Sequence, residues 1–251
     1  MCETNMTYTD RQADILALLQ ADGRLQVRAL AARFGVAEMT IRRDLTALEQ
    51  AGLLVRTHGG AAPAGALRAR PPAPSPGKTA LGRAAAARVA PGQTVMLSTG
   101  TTAIEIARHL PRDANLTVAT TSLSVAQELF GSPLTVVLFG GILRKEFPSC
   151  YGPHTESMVK NFHVDVLFTG CDGAHSDDGF YTAEIQHSSL EQAMISIADR
   201  VVVVTESRKF AQPAFVRFAP IESVHTVITD RDLPPDDRRR LEERGVEVVV
   251  V

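Results

Sequence analysis

Cysteine is scarce in this chain, and that scarcity limits the chemistry expected of it. The chain has an odd number of cysteines and no CxxC motif; the three are Cys2, Cys150 and Cys171. We therefore expect neither a disulfide framework nor a zinc site, and we predict no metal ion and no cofactor. Reduced thiols of the kind found in cytosolic proteins are the simplest interpretation.

Long apolar runs and an excess of basic charge are missing as well. No run approaches the ~18 apolar residues that a membrane-spanning helix needs. The opening sequence MCETNMTYTD is polar and acidic, unlike a signal peptide. The formal net charge is -2, so any surface for nucleic acid has to be local. We expect a cytoplasmic protein without a membrane partner.

Proline is concentrated in one segment. Five of the fifteen residues in Pro63–Gly77 are proline, which favours extended chain. We interpret this segment, residues 63–77, as a linker between a domain at residues 1–62 and a domain at residues 78–251. The first has helical patterning throughout, and the second alternates helix and strand.

Residues 1–62 have the pattern of three short helices followed by a β-hairpin. Apolar residues recur at helical spacing in three stripes. The stripes are Ile15, Leu18 and Leu19; then Val27, Leu30, Ala31 and Phe34; then Ala37, Ile41, Leu45 and Leu48. Two helices joined by a tight turn, with a hairpin behind them, predict a winged helix-turn-helix whose third helix enters the major groove of DNA.

The third helix should have a polar, cationic outer face. If Ile41 points inward, a rotation of 100° per residue places Arg43 on the opposite side. Arginine suits that position because its planar fork fits the O6 and N7 atoms of guanine. The predicted DNA contacts are Met39, Thr40, Arg42, Arg43 and Thr46 on the helix, with Arg56 and His58 on the hairpin.

Charge alone leaves a second interpretation open for this domain. Residues 1–62 contain seven arginines and seven acidic residues, so the segment is neutral. A helical module that binds another protein, with solvated arginines, would have the same composition. Salt dependence separates the two, because phosphate contacts make affinity fall steeply as salt rises.

The residues after the linker predict an α/β domain. Runs such as Leu134–Phe139 are apolar throughout, which is typical of strands buried on both faces of a parallel sheet. Strands are predicted at Thr94–Ser98, Leu116–Thr120, Leu134–Phe139, Val164–Thr169, Arg200–Thr205, His225–Thr229 and Glu247–Val251. Helices are predicted at Lys78–Val89, Ala103–Leu110, Leu123–Phe130, Thr155–Asn161, Ser188–Ala198 and Pro235–Arg244. The fold class is α/β, with a Rossmann-like, mostly parallel sheet.

Hydroxyl, glycine and charged residues follow several of these strands. The carboxyl ends of parallel strands share one edge of the sheet, where ligands bind. A hydroxyl-rich glycine turn before a helix holds phosphate, because backbone amides point at the anion, although a plain helix cap uses the same residues. Cations would bind phosphate, and a carboxylate would bind sugar hydroxyls. The predicted effector-binding residues are Ser98, Thr99, Gly100, Thr101, Thr102, Thr121, Ser122, Gly140, Gly141, Arg144, Asp172 and Lys209.

Two stretches resemble one known family. Arg11 to Ala61, with TIRRDL at Thr40–Leu45 and RTHGGA at Arg56–Ala61, resembles the N-terminal domain of DeoR-family transcription regulators. About residues 78–230, with GTT at Gly100–Thr102, GGILR at Gly140–Arg144 and GCDGA at Gly170–Ala174, resemble the effector domain of that family. The resemblance implies operator contacts at Thr40, Arg42 and Arg43. It also implies a fold related to sugar-phosphate isomerases and loops that bind a sugar phosphate, whose arrival weakens operator binding.

The chain departs from the family pattern at several positions. Ala37 stands where serine is usual at the cap of the third helix, a loss of about 1 kcal/mol. Thr121 stands where asparagine is usual, and Glu191-Gln192 stand where Lys-Arg is common. We hypothesise an effector with altered hydroxyl chemistry, or weaker binding.

A sugar-phosphate isomerase with a DNA-binding appendage is the alternative function. Such an enzyme needs a general base, for which Asp172 and Glu184 are the candidates. Glu184 lies in Gly179–Ser188, which we expect to be a polar loop that could act as a lid. No acid and base are paired at a fixed spacing, and the histidines, His187 among them, are expected at the surface. We therefore predict no catalytic residue.

The combined prediction is a DNA-binding transcriptional repressor of a carbohydrate-metabolism operon, not an enzyme. Its partners would be double-stranded operator DNA and a phosphorylated sugar effector. Two or four copies would associate through the C-terminal domain as a homo-oligomer, presenting two recognition helices to repeated half-sites.

Overall fold

In a computed structural model the chain forms two units, Met1–Arg70 and Pro71–Val251. The structure describes residues 9–22, 25–57, 59–63, 75–144, 147–212 and 214–251. His58 and residues 64–74 of the predicted linker lie outside these ranges. Within the described ranges, no helix is both long enough and apolar enough to cross a membrane.

The first unit is a winged helix-turn-helix, as predicted. Its elements in chain order are α1 (Asp10–Asp22), β1 (Leu25–Gln26), α2 (Val27–Phe34), α3 (Glu38–Gln50), β2 (Leu54–Thr57) and β3 (Gly60–Pro63). The three strands form an antiparallel sheet in the order β1-β3-β2. The predicted apolar stripes supply its core, where Ile15, Ile41, Leu45 and Leu48 are fully buried. The placement of Ala37 in the third stripe was wrong, because Ala37 precedes α3 and is exposed.

One strand of this unit was not predicted. β1 has only two residues, and it pairs with β3 at Gly60. A Cβ atom on Gly60 would lie 2.0 Å from the carbonyl oxygen of Leu25, so only glycine permits this approach. A two-residue strand is too short to show an alternating pattern, so it could not be predicted from the residues.

The second unit is a doubly covered parallel sheet. Its helices are α4 (Pro76–Ala86), α5 (Thr101–His109), α6 (Leu123–Leu129), α7 (Pro153–Val159), α8 (Ile185–Ser196) and α9 (Pro235–Glu243). Its strands are β4 (Thr94–Leu97), β5 (Thr117–Thr120), β6 (Thr135–Leu138), β7 (Ile142–Arg144), β8 (Ser149–Tyr151), β9 (Val164–Thr169), β10 (Gly173–His175), β11 (Gly179–Thr182), β12 (Ala198–Val204), β13 (Val216–Pro220), β14 (Thr226–Thr229) and β15 (Glu247–Val250). Seven of them form a parallel sheet in the order β15-β14-β12-β9-β4-β5-β6, and each of the seven strands predicted from the sequence is in it.

Alternate residues of the central strands point to opposite faces of this sheet. Val95 and Leu97 pack with residues of α4, α5 and α6, whereas Met96 packs with residues of α7, α8 and α9. Both faces are thus covered by helices, which explains why the central strands are apolar throughout. β6 is different because it is one of the two edge strands of this sheet. Thr135 and Leu138 are exposed, so the prediction that Leu134–Phe139 is buried on both faces was wrong.

Gly179–Ser188 is not the polar loop expected from the sequence. Its first residues form β11, which pairs antiparallel with β10 and β13, and its last residues begin α8. Phe180 is fully buried in this small sheet. The expected lid is therefore regular structure that frames one side of the site described next.

Candidate functional site

The outward face of α3 carries the residues predicted to contact DNA. Met39 is 71% exposed, and Arg42 and Arg43 are exposed as well. Arg42 lies 3.4 Å from Glu38 one turn earlier, in a pair that water screens. Within the described residues, Arg43 has no carboxylate partner. The face thus presents cationic side chains opposite the buried Ile41.

A hydrogen-bonded contact joins the wing to this helix. Thr46 donates its hydroxyl to the carbonyl of Arg42 at 2.8 Å and accepts from the Arg56 guanidinium at 3.2 Å. The Arg56 amide donates to the Glu49 carboxylate at 2.8 Å. Sequence reasoning treated Thr46 and Arg56 as separate DNA contacts, and it missed Glu49. The structure brings them together, so the wing and the recognition helix present one surface.

A cavity of about 240 Å³ lies at the carboxyl ends of β4, β9 and β12 in the second unit. Eight of the twelve predicted effector residues line it: Ser98, Thr99, Gly100, Thr101, Thr102, Arg144, Asp172 and Lys209. Lys78 and His187 also line the cavity, and sequence reasoning missed both as site residues. Cys171, Glu191 and Arg208 line it as well.

The remaining four predicted residues do not line the cavity. Ser122 caps α6 by accepting from the Val125 amide at 3.2 Å, and its neighbour Thr121 is fully buried. The Gly140 carbonyl accepts from the Thr155 hydroxyl at 2.8 Å. A Cβ atom on Gly141 would lie 1.9 Å from the same hydroxyl oxygen. These contacts give Ser122, Gly140 and Gly141 structural roles in the turns after β5 and β6.

The turn between β4 and α5 has the geometry of an anion cradle. Gly100 precedes α5 with φ 99° and ψ 176°, a conformation that side chains disfavour. The first amides of a helix have no intrahelical acceptor, so those of α5 are available to an anion. The Lys78 ammonium reaches the turn from α4 and donates to the Thr101 hydroxyl at 2.8 Å.

A close helix packing brings Lys78 to this turn. A Cβ atom on Gly82 of α4 would lie 2.7 Å from the Cβ atom of Glu105 on α5, so glycine lets the two helices approach. Lys78 and Thr101 are 23 positions apart, and no local pattern links them. Lys78 and Lys209 both line the cavity without a carboxylate partner among the described residues. This leaves two ammonium groups for an anionic ligand.

The floor of the cavity contains a buried carboxylate. Glu191 is 1% exposed and accepts hydrogen bonds from the hydroxyls of Ser98 and Thr169, the latter at 2.8 Å. His187 Nε2 lies 3.1 Å from the same carboxylate. Burial lowers the pKa of His187, but the hydrogen bond and the charge of Glu191 together raise it above the ordinary 6.5. The expectation that His187 is a surface residue was wrong.

The two candidate bases of the isomerase alternative are already engaged. Glu184 pairs with Arg144, which also lies 4.9 Å over the ring of Phe147. Asp172 accepts from the hydroxyl of Thr182 at 3.2 Å and from the Ala183 amide at 3.0 Å. These contacts hold Glu184 and Asp172 as structural partners of the cavity wall.

Cys171 also lines the wall of the cavity. Burial raises the pKa of the Cys171 thiol to about 12, so it is not a thiolate nucleophile at neutral pH.

Lys209 lies beside the cavity on a short 3₁₀ turn, Ser207–Ala211. Asp230 holds that turn by accepting from the Ser207 amide at 3.0 Å and from its hydroxyl. The Lys209 backbone is thereby fixed beside the cavity.

Comparison with known proteins gives concordant matches to both units. A model described as the DeoR-like helix-turn-helix domain matches residues 11–64, and one described as the DeoR C terminal sensor domain matches residues 75–231. The HTH-type transcriptional regulator GlpR of Haloferax volcanii is 34% identical over 97% of this chain and 98% of that protein. The glycerol-3-phosphate regulon repressor of Escherichia coli is 29% identical over 91% of this chain and 93% of that protein.

Solved structures show weaker likeness. Ribose 5-phosphate isomerase A of Methanocaldococcus jannaschii has a TM-score of 0.39 and 18% identity, over 53% of this chain and 52% of that chain. At that score the likeness adds nothing to the interpretation of the cavity.

Proposed function

The chain belongs to the DeoR family of transcription regulators, and from that premise we propose that it is a DNA-binding repressor of a carbohydrate-metabolism operon. A phosphorylated sugar bound in the cavity of the second unit modulates its affinity for operator DNA. The observation that carries the proposal is the cradle at Gly100–Thr102 with the Lys78 ammonium beside it. That arrangement suits a phosphate group, and the carboxylates around it suit hydroxyls.

The DNA-binding half of the proposal rests on the outer face of α3. Arg42 and Arg43 are exposed there, and the wing is fixed to the helix through Thr46. Major-groove recognition needs such a face, because base edges are contacted by side chains at the start and middle of a helix held in register. Repeated half-sites require two such helices, so we propose that the chain acts as a homo-oligomer, a dimer or a tetramer.

Fluorescence anisotropy on the DNA upstream of its own gene tests both halves. We expect Arg43→Ala to lose about 1–3 kcal/mol of operator affinity if the side chain contacts a base. Arg239→Ala, which removes an exposed arginine from α9, is the charge-matched control and should bind as the unmodified protein does. Equal binding by both variants would contradict the assignment of the α3 face.

A panel of sugar phosphates and the matching free sugars tests the sensor half. We expect one phosphorylated sugar to lower operator affinity while its unphosphorylated form has no effect. Lys78→Met should abolish that response without changing DNA binding alone, whereas Lys160→Met, a surface change at the end of α7, should leave the response intact. DNA binding that responds to no compound would refute the sensor role.

A further inference from the structure

The buried carboxylate of Glu191 determines which groups at the cavity floor donate hydrogen bonds and which accept them. A carboxylate only accepts hydrogen bonds, so each group in contact with it has to donate. The single hydroxyl proton of Ser98 therefore points at Glu191, and the oxygen of Ser98 keeps its acceptor sites. Ser98 lines the cavity, so the group it offers a ligand there is an acceptor.

The same reasoning applies to His187. Its Nε2 atom lies against Glu191 and so carries a proton directed at the carboxylate, which leaves Nδ1 to accept a proton. Three charged groups act on the ring: Glu191 on the same helix, Arg144 of β7 and Asp172 in the turn before β10. Arg144 opposes the imidazolium, while the two carboxylates favour it. Because the carboxylates outweigh Arg144 and burial, the pKa of His187 is raised.

The cradle and the floor of the cavity require different chemical groups on a ligand. At the cradle, the helix amides and Lys78 donate, which suits phosphate. At the floor, Ser98 accepts and a protonated His187 donates. A ligand that spans both needs a phosphate at one end and, at the other, a hydroxyl that can donate to Ser98 and an oxygen that can accept from His187.

We propose that Glu191 is the specificity-determining residue of the effector site, selecting phosphorylated polyols over other phosphate esters by orienting Ser98 and His187. Glu191 itself does not need to touch the ligand; it acts as a positioning residue. The proposal rests on the proposed sensor function and adds the chemical class of the effector. It also implies that, above neutral pH, His187 takes up a proton when the effector binds, because the negative charge of the phosphate favours the imidazolium.

Isothermal titration calorimetry on the full chain tests this with three probes: glycerol 3-phosphate, n-propyl phosphate and inorganic phosphate. We expect the unmodified protein to bind glycerol 3-phosphate about 10-fold more tightly than propyl phosphate, the effect of one to two hydrogen bonds. Glu191→Gln should reduce that ratio towards 1 while leaving propyl phosphate affinity unchanged. Titrations at pH 8 in two buffers of different ionisation enthalpy should show proton uptake for the unmodified protein and none for Glu191→Gln.

Glu105→Gln is the matched control, since Glu105 is equally buried on α5 but does not line the cavity. It should keep both the affinity ratio and the proton uptake. If Glu191→Gln does not fold, two other variants divide the effect. Ser98→Ala should reduce the preference for glycerol 3-phosphate and keep the proton uptake, whereas His187→Gln should reduce the preference and also abolish the proton uptake.

The outcomes separate this inference from the sensor function. If Glu191→Gln folds and retains the preference and the proton uptake, the role of Glu191 is overturned and the sensor function stands. If the unmodified protein binds none of the three probes, the proposed selection of phosphorylated polyols is overturned, and the panel of sugar phosphates decides the sensor function separately. Equal affinity of the unmodified protein for glycerol 3-phosphate and propyl phosphate also overturns the proposed selectivity, while leaving phosphate sensing in place.

Discussion

The N-terminus of α3 is capped less well than it could be, and restoring a cap should stabilise the recognition helix. Ala37 occupies the capping position with φ −64° and ψ 147°, the extended conformation in which serine caps well, and it offers no side-chain acceptor. Its side chain is exposed, so a hydroxyl adds no steric conflict. The Thr40 amide already donates to the Ala37 carbonyl at 2.9 Å, whereas the Met39 amide has no acceptor in the part of the chain described.

Ala37→Ser should therefore stabilise α3 by about 1 kcal/mol, since its hydroxyl can accept from the Met39 or Thr40 amide. Hydrogen–deuterium exchange of peptides from residues 38–50 measures this locally in the full chain, and we expect about fivefold slower exchange. The same substitution in the middle of the same helix is the control. Ala47→Ser is exposed but has no free amide to cap, and it should cost about 0.5 kcal/mol and speed exchange. Equal effects of the two substitutions would refute the capping argument.

Two further predictions concern the second unit. Gly82→Ala should lower the free energy of unfolding, although alanine favours a helix by up to about 1 kcal/mol, because its Cβ atom would meet Glu105 at 2.7 Å. Gly77→Ala in the same helix meets nothing within 4 Å and should be neutral or stabilising; urea unfolding of both variants checks the difference in sign. The interaction of protonated His187 with Glu191 should stabilise the fold fully below pH 6.5, the ordinary pKa of histidine. That stabilisation should be lost as pH rises through the raised pKa of His187 in the folded state. Urea midpoints measured from pH 5 to 9 should therefore decline less for His187→Gln than for the unmodified protein, and parallel curves would contradict the raised pKa.

The sequence predicts the fold well where patterns are long. Apolar runs placed all seven strands of the parallel sheet, because buried central strands need apolar residues on both faces. The same rule failed at Leu138, since a run of apolar residues does not reveal that its strand is an edge strand. The short strands at Leu25–Gln26 and Gly173–His175 were missed because two or three residues carry no period.

The candidate site was predictable only where its residues follow a strand. Ser98, Asp172 and Lys209 lie in the turns that follow parallel strands, and the topology brings these turns to one edge. Lys78 and His187 reach the cavity from helices instead. Lys78 depends on the close packing of Gly82 against Glu105, a long-range contact without a local signal. His187 and Glu191 are only four positions apart on α8, but the burial of Glu191 against Ser98 joins residues 93 positions apart, which no local pattern shows.

The strand order has a consequence for synthesis of the chain. In the finished sheet β4 lies between β5, which follows it closely in the chain, and β9, whose Asp165 accepts a hydrogen bond from Thr94 across 71 positions. A ribosome adding about 5–20 residues per second needs on the order of 4–14 s to cover that interval. Until β9 is made, β4 can pair with β5 on one side, while its other side is an open edge of the sheet. The strand that ends in the proposed phosphate cradle is thus exposed to association with other nascent chains until β9 emerges to cover it.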